Sequence, residues 1–486
     1  MSLRDRPRIL VVGAGISGLA AAHRVVELAP EVEVSVLEAS DRVGGVILTE
    51  NVDGFVLDVG PDSFITEKPE ALALCKRLGL EARLQPTRAQ FRRTLIVRDG
   101  KLHSMPEAFQ LLAPGRLGPF LRSSVLSWSG RLAALKDLVL PRGGPPESGD
   151  ESLASFVRRR LGQETLERIA QPMVGGIYTA DPETLSLRST MPRFLDMERE
   201  HRSVILALLR KRTQTAGDDA SGARFGLFLS LRGGIGELAA TLASKLPAGA
   251  VRRNAAVTRV DRCGDDGWTV ELASGAVETA EAVILATPAP RTAKILSALD
   301  PTLSARLAEI DYASTAIVSL AFRLEDVPSP PKAFGVVVPF VEGRSIIAAS
   351  FSSVKYEGRA PENRLLVRTF VGGALQPELL ERDDANLLRL VRSELRDLLG
   401  IRGEPVFERV HRWPASMPQY RVGHGARVTQ IEKLALLHPG LALAGNAYHG
   451  VGLADCVRSG ESAGERALAH VRSSHETALR ASHTGT

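Results

Sequence analysis

The chain has 486 residues, more than one hydrophobic core ordinarily serves, so two or more domains with a cleft between them are expected. Hydrophobic residues make up 44% and charged residues 24%, with a net charge of +5 and a pI near 9.2; this excludes a disordered chain and suits an anionic ligand or an acidic surface. Cys75, Cys263 and Cys456 lie too far apart for a disulfide framework or a zinc site, no metal is expected, and no apolar run reaches the roughly 18 residues of a spanning helix.

Taken in chain order, Arg8–Val12 reads as a buried strand, Ile16–Leu28 as a helix and Glu33–Leu37 as a second strand, an opening β-α-β unit that leaves no room for a cleavable signal. Residues 69–80 predict a helix stopped by Gly79. Leu121, Val125, Trp128, Leu132, Leu135 and Val139 recur at alternating spacings of four and three, with Arg122, Arg131 and Lys136 around them. That stripe predicts one amphipathic helix, which either lies in a membrane interface or packs on its own domain. Polar breaks at 141–150 and 213–223 bracket an inserted helical region. Short strands return from Phe225: 257–260, 268–272 and 283–286, parted by Gly264-Asp265-Asp266-Gly267 and Ser274-Gly275, predict a meander ending on a buried strand. Residues 316–322, 334–339, 345–351 and 365–371 predict a further sheet, 379–399 a helix, and 441–470 a strand, a glycine turn and a helix. A loose polar tail is expected after that, and there is no internal repeat.

Gly13-Ala14-Gly15-Ile16-Ser17-Gly18 follows the first strand and opens the first helix, the setting in which this spacing has a mechanism. Gly13 permits the tight turn, Gly15 admits a pyrophosphate to the backbone, and Gly18 lets the helix pack on its strand, while free N–H groups of the first turn face phosphate charge. Glu38, followed by Ala39, closes the second strand, where a carboxylate accepts hydrogen bonds from ribose hydroxyls. NAD satisfies these residues as well as FAD does.

Two further glycine turns follow, Asp41-Arg42-Val43-Gly44-Gly45 and Asp58-Val59-Gly60-Pro61-Asp62-Ser63, and Gly445-Asn446 with Gly450-Val451-Gly452-Leu453 closes the chain. These pieces resemble the flavin motifs of the amine oxidase and phytoene desaturase superfamily and favour FAD, with the closing helix aiming its positive end at the flavin. Gly175-Gly176-Ile177-Tyr178 with Leu185-Ser186, Met197-Glu198-Arg199-Glu200-His201-Arg202-Ser203, Trp413 with Ser416-Met417-Pro418-Gln419-Tyr420, and Gly445-Asn446-Ala447-Tyr448-His449-Gly450-Val451-Gly452 narrow the resemblance. From Gly13 to about Gly460 the chain is similar to the bacterial oxygen-dependent protoporphyrinogen oxidases.

That resemblance implies an α/β fold: a Rossmann-type FAD-binding domain from discontinuous segments (1–88, 225–292 and 411–472), a mixed-sheet substrate domain (293–410), and an inserted helical, membrane-contacting region with the substrate cleft (89–224), leaving 473–486 as a flexible tail. It implies oxidation of protoporphyrinogen IX to protoporphyrin IX in haem synthesis, with molecular oxygen as acceptor and hydrogen peroxide as product. Arg42 and the turn glycines, Val257 beside the adenine, and Trp413 are implied at the cofactor. Arg93, with Arg92 as the alternative, is implied at a substrate propionate and Gly176 at the macrocycle. No catalytic acid or base is named, because the flavin carries the electronics; Tyr178, His424 and His449 read as packing or hydrogen-bonding residues.

The expected location is the cytoplasm, peripheral on the inner face of the cell membrane, without nucleic acid; a homodimer is left open. The alternatives are a coproporphyrinogen III oxidase, against which the arginine near position 93 speaks, another flavin amine oxidase or carotenoid desaturase, and a flavin-binding redox sensor without turnover.

Overall fold

A strand whose residues are apolar on both faces belongs in the middle of a parallel sheet, and Arg8–Val12, with Ile9 to Val12 all buried, is such a strand. In the computed structural model, which describes residues 6–107, 109–143, 149–214, 228–264 and 267–484, the side chains of 211–214 and 477–484 excepted, it is the central strand of a five-stranded parallel sheet. The order is Val251–Arg252, Glu33–Leu37, Arg8–Val12, Ala282–Leu285 and Leu441–Leu443, so the sheet is assembled from three distant stretches of chain.

The first helix, Ile16–Leu28, and the closing helix, Leu453–Thr484, pack side by side on one face of this sheet. Their backbones touch: a Cβ on Gly460 would lie 2.1 Å from the Ser17 carbonyl oxygen, and one on Gly464 would lie 2.7 Å from that of Ala21. The closing helix runs through Thr484, which corrects the expectation of a loose tail from 473; Glu476, Ala478, Leu479 and Arg480 are good helix formers.

On the opposite face sits a three-stranded meander, Val257–Cys263, Gly267–Leu272 and Val277–Ala280. Its third strand escaped the pattern because three of its four residues are not buried, whereas the buried strand expected there, Ala282–Leu285, belongs to the parallel sheet. Asp265 and Asp266 of the expected turn, with 144–148 and 215–223 of the two polar breaks, lie outside the described residues.

The second sheet has seven strands in the order Phe407–Pro418, Tyr312–Arg323, Arg364–Gly372, Ala348–Phe351, Gly335–Val337, Thr94–Arg98 and Lys101–Ser104. All neighbours are antiparallel except Gly335–Val337 with Thr94–Arg98, so the sheet is mixed and borrows a hairpin from far upstream. The helix Asp384–Leu399 covers one face with Leu387, Val391, Leu395 and Leu398; it starts at Asp384, not near 379, because the Asp383 carboxylate caps the Asn386 N–H at 2.7 Å. Against the other face lies the hairpin of Thr49–Val52 and Phe55–Asp58, where the Phe55 and Phe407 rings stack at 5.2 Å.

Between these sheets in sequence lies the helical insert, which includes Trp128–Leu135, Leu153–Leu161, Gln171–Tyr178, Pro192–His201 and Val204–Gln214. The stripe from Leu121 to Val139 is not one helix. Leu117–Arg122 ends, a serine-rich link follows, and Trp128–Leu135 begins afresh where Ser127 accepts the Gly130 N–H at 3.0 Å. The break turns Val125 into the core and leaves Trp128, Leu132 and Val139 outward, 67, 62 and 74% exposed.

The insert is clamped by a buried ion pair. Asp137 accepts from Arg160 Nε at 2.6 Å, Ser203 Oγ at 2.6 Å and the Ile205 N–H at 2.9 Å, while Arg160 donates further to the Pro141 and Arg202 carbonyls. Removing Asp137 leaves Ser203 and the Ile205 N–H without their acceptor and Arg160 with Glu198, at 3.3 Å, in place of its closer partner. Asp137→Ala is therefore expected to cost about 3–5 kcal/mol, read from the chemical denaturation midpoint; a loss under about 1 kcal/mol would show the pair to be dispensable.

Candidate active site

The first glycine motif divides its labour. Gly13 has φ +102°, donates its N–H to the Leu37 carbonyl at 2.8 Å, and has no room for a Cβ, which would lie 2.8 Å from the Ala286 carbonyl oxygen. A Cβ on Gly18 would lie 1.9 Å from the Gly13 carbonyl oxygen, so that glycine serves helix packing. Gly15 differs: nothing lies within 4 Å of its would-be Cβ, and no side chain caps the helix that starts at Ile16. Ile16 and Ser17 are buried, and Ser17 Oγ donates to the Cys456 carbonyl in the first turn of the closing helix at 2.9 Å.

Glu38 is held in place before any ligand arrives. One carboxylate oxygen accepts the Ala14 N–H at 2.7 Å, and the other accepts both the N–H and hydroxyl of Ser40 at 2.8 Å. The Ala255 N–H donates to the Glu38 carbonyl at 2.8 Å, which brings Val257, itself buried in the strand that follows, close to this end of the sheet; Ala39 is exposed.

The second and third turns lean on the first. The Gly44 N–H donates to the Ala14 carbonyl at 2.8 Å, a Cβ on Gly45 would lie 3.3 Å from Gly15 Cα, and one on Gly60 would lie 1.8 Å from the Val46 carbonyl oxygen. Trp413, from the edge strand of the second sheet, donates its indole N–H to the Val59 carbonyl at 2.6 Å, and the Arg42 guanidinium lies 5.8 Å from its ring centroid. Next along, Pro61 is half-buried and Ser63 donates to Asp62 at 2.7 Å. The Asp62 carboxylate also takes Lys355 Nζ at 2.9 Å and Arg368 at 3.2 Å. Burial alone would raise its pKa, but Lys355 and Arg368 outweigh burial and hold it well below the usual carboxylate range.

The closing turn is gripped from the side. The Tyr420 hydroxyl donates to the Asn446 carbonyl at 2.5 Å and accepts the Gly450 N–H at 2.9 Å, and its ring stacks on His424 with centroids 3.9 Å apart. Burial pushes His424 down to about 4, against the opposing hydrogen bond to the Tyr448 carbonyl at 3.1 Å, so the imidazole is neutral at pH 7. Gly445, at φ +134°, donates to Ser459 Oγ at 3.0 Å and leaves open space where a Cβ would point. Val451 and Gly452 are half-buried at the start of the closing helix, and Leu453 is its first residue. In that first turn Asp455 binds Lys68 Nζ at 2.7 Å and Arg458 at 2.6 Å.

Tyr178 donates to the Thr190 carbonyl at 3.2 Å and the exposed His449 pairs with Glu432 at 2.6 Å, so each of these side chains has an ordinary partner. On the second sheet, Arg93 precedes the strand Thr94–Arg98 and takes the Phe334 N–H on its carbonyl at 2.9 Å; its side chain is exposed, and no acidic residue pairs with it among the described residues. Arg92 is half-buried. Gly176 sits on the helix Gln171–Tyr178, which packs over the neighbouring strand Gly335–Val337, and nothing lies within 4 Å of its would-be Cβ.

Sequence reading missed Lys355, Arg368 and the clamping role of Tyr420. The signal for Arg368 was available: an arginine in the middle of the apolar run Leu365-Leu366-Val367-Arg368-Thr369-Phe370-Val371 is a charge that must be paired where it is buried.

Residues 16–468 match the family model described as flavin containing amine oxidoreductase. The chain belongs to this family. A coproporphyrinogen III oxidase of Propionibacterium freudenreichii subsp. freudenreichii is 38% identical over 476 residues, covering 92% of this chain and 88% of the relative. The mitochondrial protoporphyrinogen oxidase of Nicotiana tabacum is 28% identical, covering 96% of this chain and 94% of the relative. A crystal structure from Exiguobacterium sp. 255-15, assigned as a protoporphyrinogen oxidase, superposes with a TM-score of 0.84 at 29% identity, covering 95% of this chain and 98% of that one.

The protein is thus a flavin-dependent oxidoreductase of mixed α/β fold, and its cofactor is FAD. The donor set fits that group: uncapped helix N–H groups with open space at Gly15 for the phosphates, and a fixed carboxylate at Glu38 for the ribose. Gly15→Ala is expected to fold with unchanged melting temperature yet to bind FAD about tenfold more weakly, about 1.4 kcal/mol. Gly18→Ala is expected to lose about 1–3 kcal/mol of stability through overpacking. Thermal melts of the apoproteins and a flavin fluorescence titration separate the two; full affinity in Gly15→Ala would contradict the assignment of that glycine.

Proposed function

We propose that this oxidoreductase removes hydrogen from a porphyrinogen to give a porphyrin in haem synthesis, with molecular oxygen reoxidising the flavin to form hydrogen peroxide. One observation carries the reading: relatives matched over more than nine-tenths of this chain bear porphyrinogen oxidase names, in both bacteria and plants. The three stretches 1–88, 225–292 and 411–472 hold FAD, through the residues of the glycine turns with Glu38, Ala39, Arg42, Val257 and Trp413. The sheet built around 293–410, with its borrowed hairpin, forms one wall of the substrate cleft and the insert within 89–224 another.

A flavin held by these residues would supply two-electron hydride acceptance, the chemistry that oxidation of the saturated bridge carbons of the macrocycle requires. The task left to the chain is placement. Arg93, exposed and without an acidic partner among the described residues, binds a propionate at the lip, while the missing side chain at Gly176 lets the macrocycle approach the helix backbone. Protoporphyrinogen IX is the substrate that Arg93 favours. Coproporphyrinogen III is the second reading, favoured by the name of the relative with 38% identity.

No helix among the described residues is long and apolar enough to cross a membrane, but Trp128, Leu132 and Val139 present an outward apolar surface with Lys136 near it. We assign this surface to peripheral attachment at the cytoplasmic face of the cell membrane, where a poorly soluble substrate is collected.

Side-by-side rates with the two porphyrinogens, read as porphyrin fluorescence, are expected to favour protoporphyrinogen IX. Arg93→Ala is expected to raise KM about tenfold with kcat little changed, the mark of lost ground-state binding. Inactivity towards both substrates, with turnover of amines, would overturn the reading; a strong preference for coproporphyrinogen would move it to the second. Trp128→Asp with Leu132→Asp is expected to abolish flotation with anionic liposomes, and unchanged flotation would contradict membrane attachment.

A further inference from the structure

The second sheet carries a polar row where a buried sheet should be apolar. Ser319, Arg368, Ser350, Gly335 and Thr94 stand in register across five adjacent strands, on the face turned towards the hairpin Thr49–Asp58 and the turn 60–63. Arg368 is 2% exposed, and it donates to the Gly60 carbonyl and pairs with Asp62. Lys355, 9% exposed, binds both oxygens of the same carboxylate, and Arg359, 1% exposed, pairs with buried Asp58 at 3.3 Å.

Among the described residues, three buried cations therefore face two carboxylates, which leaves one positive charge uncompensated in a region where unpaired charge is costly. The pairing is not even. Asp58 is spent on structure: it accepts from Thr49 Oγ1 at 2.6 Å and the Ile235 N–H at 2.8 Å, and Arg359 is further tied to Ser230 and the Leu231 carbonyl. Among the described residues Lys355 and Arg368 share the carboxylate of Asp62 at the turn, and the surplus is assigned to them on that sharing; Arg368 Nε, like Nε and Nη1 of Arg359, is buried without a hydrogen-bond partner.

We propose that Arg368 and Lys355, gathered by Asp62 against the turn 60–63, hold a positive charge beside the flavin ring and stabilise the negative charge the ring gains on reduction. The proposal rests on the reading that this turn borders FAD. A hydride brings two electrons and one proton equivalent to the ring, so one unit of negative charge must be accommodated at each turnover, and a fixed cation in a region shielded from water does this without reorganisation. Asp62 sets the position of the two cations and moderates them; it is a positioning residue, and removing its charge should strengthen their effect.

Opposite shifts make the test specific. In the FAD-loaded protein, Arg368→Gln is expected to lower the flavin midpoint potential by about 30 mV or more, a tenfold change in a two-electron equilibrium, and Asp62→Asn to raise it by a similar amount. Equilibration with redox dyes reads both, and affinity for sulfite, which adds to the ring and leaves it negatively charged, is expected to fall in the first variant and rise in the second. A purely packing role would not move the two variants in opposite directions. Lys355→Met provides the same downward test should Arg368→Gln fail to fold. Potentials that stay within a few millivolts of the parent, or that shift the same way in both variants, would overturn the proposal while leaving FAD binding intact; a parent protein that takes up no FAD would instead overturn the reading beneath it.

Discussion

The contact on which the architecture depends is the one between the first and last helices. Gly460 and Gly464 bring the closing helix within backbone distance of Ser17 and Ala21, and any side chain there would force the pair apart. Since both residue pairs advance together along the two helices, the helices run parallel, like the strands Arg8–Val12, Ala282–Leu285 and Leu441–Leu443 beneath them. Their N-termini consequently emerge at the same edge of the sheet, linked by the hydrogen bond from Ser17 to the Cys456 carbonyl. Two positive helix ends at one edge make a natural seat for a dinucleotide.

What joins this seat to the second sheet is a small hairpin, Thr49–Asp58, and the turn that follows it. Its apolar side packs Phe55 on Phe407, its polar side pairs Glu50 with His411, and Trp413 binds the Val59 carbonyl. Arg368, Arg359 and Lys355 then secure Asp58 and Asp62 from the sheet side. Pairing buried charges across one seam ties the turn to the second sheet, because each charge tolerates little displacement from its partner. The same charges supply the electrostatics of the proposed redox site, so structure and chemistry share a set of residues.

Much of this was legible in the sequence where local physics decides the outcome. The strands Arg8–Val12 and Glu33–Leu37 and the helix between them follow from apolar runs and a glycine turn, and the parts of the dinucleotide motif sit as their spacing implies. Where tertiary context decides, the pattern misled. The spacing from Leu121 to Val139 is helical, yet Ser123 and Ser127 hold backbone N–H groups and break it in two. Val277–Ala280 is a strand with little to bury, paired antiparallel with Gly267–Leu272. The place of Thr94–Arg98 beside Gly335–Val337 was not readable, since no local signal encodes a parallel pairing over such a separation. Glu38 illustrates the same limit: its place at the end of the second strand follows from the local pattern, whereas its engagement by Ala14 and Ser40 emerges only from the folded geometry.

On the proposed function, a flavin seated between the two glycine turns takes hydrogen directly from a porphyrinogen in the adjoining cleft. The most direct measurement is a single anaerobic mixing of the yellow protein with protoporphyrinogen IX in a stopped-flow spectrometer. The flavin colour is expected to bleach as the substrate is consumed and to return when oxygen is admitted. A flavin that stays oxidised throughout, with substrate in excess and the cofactor firmly bound, would contradict the proposed function.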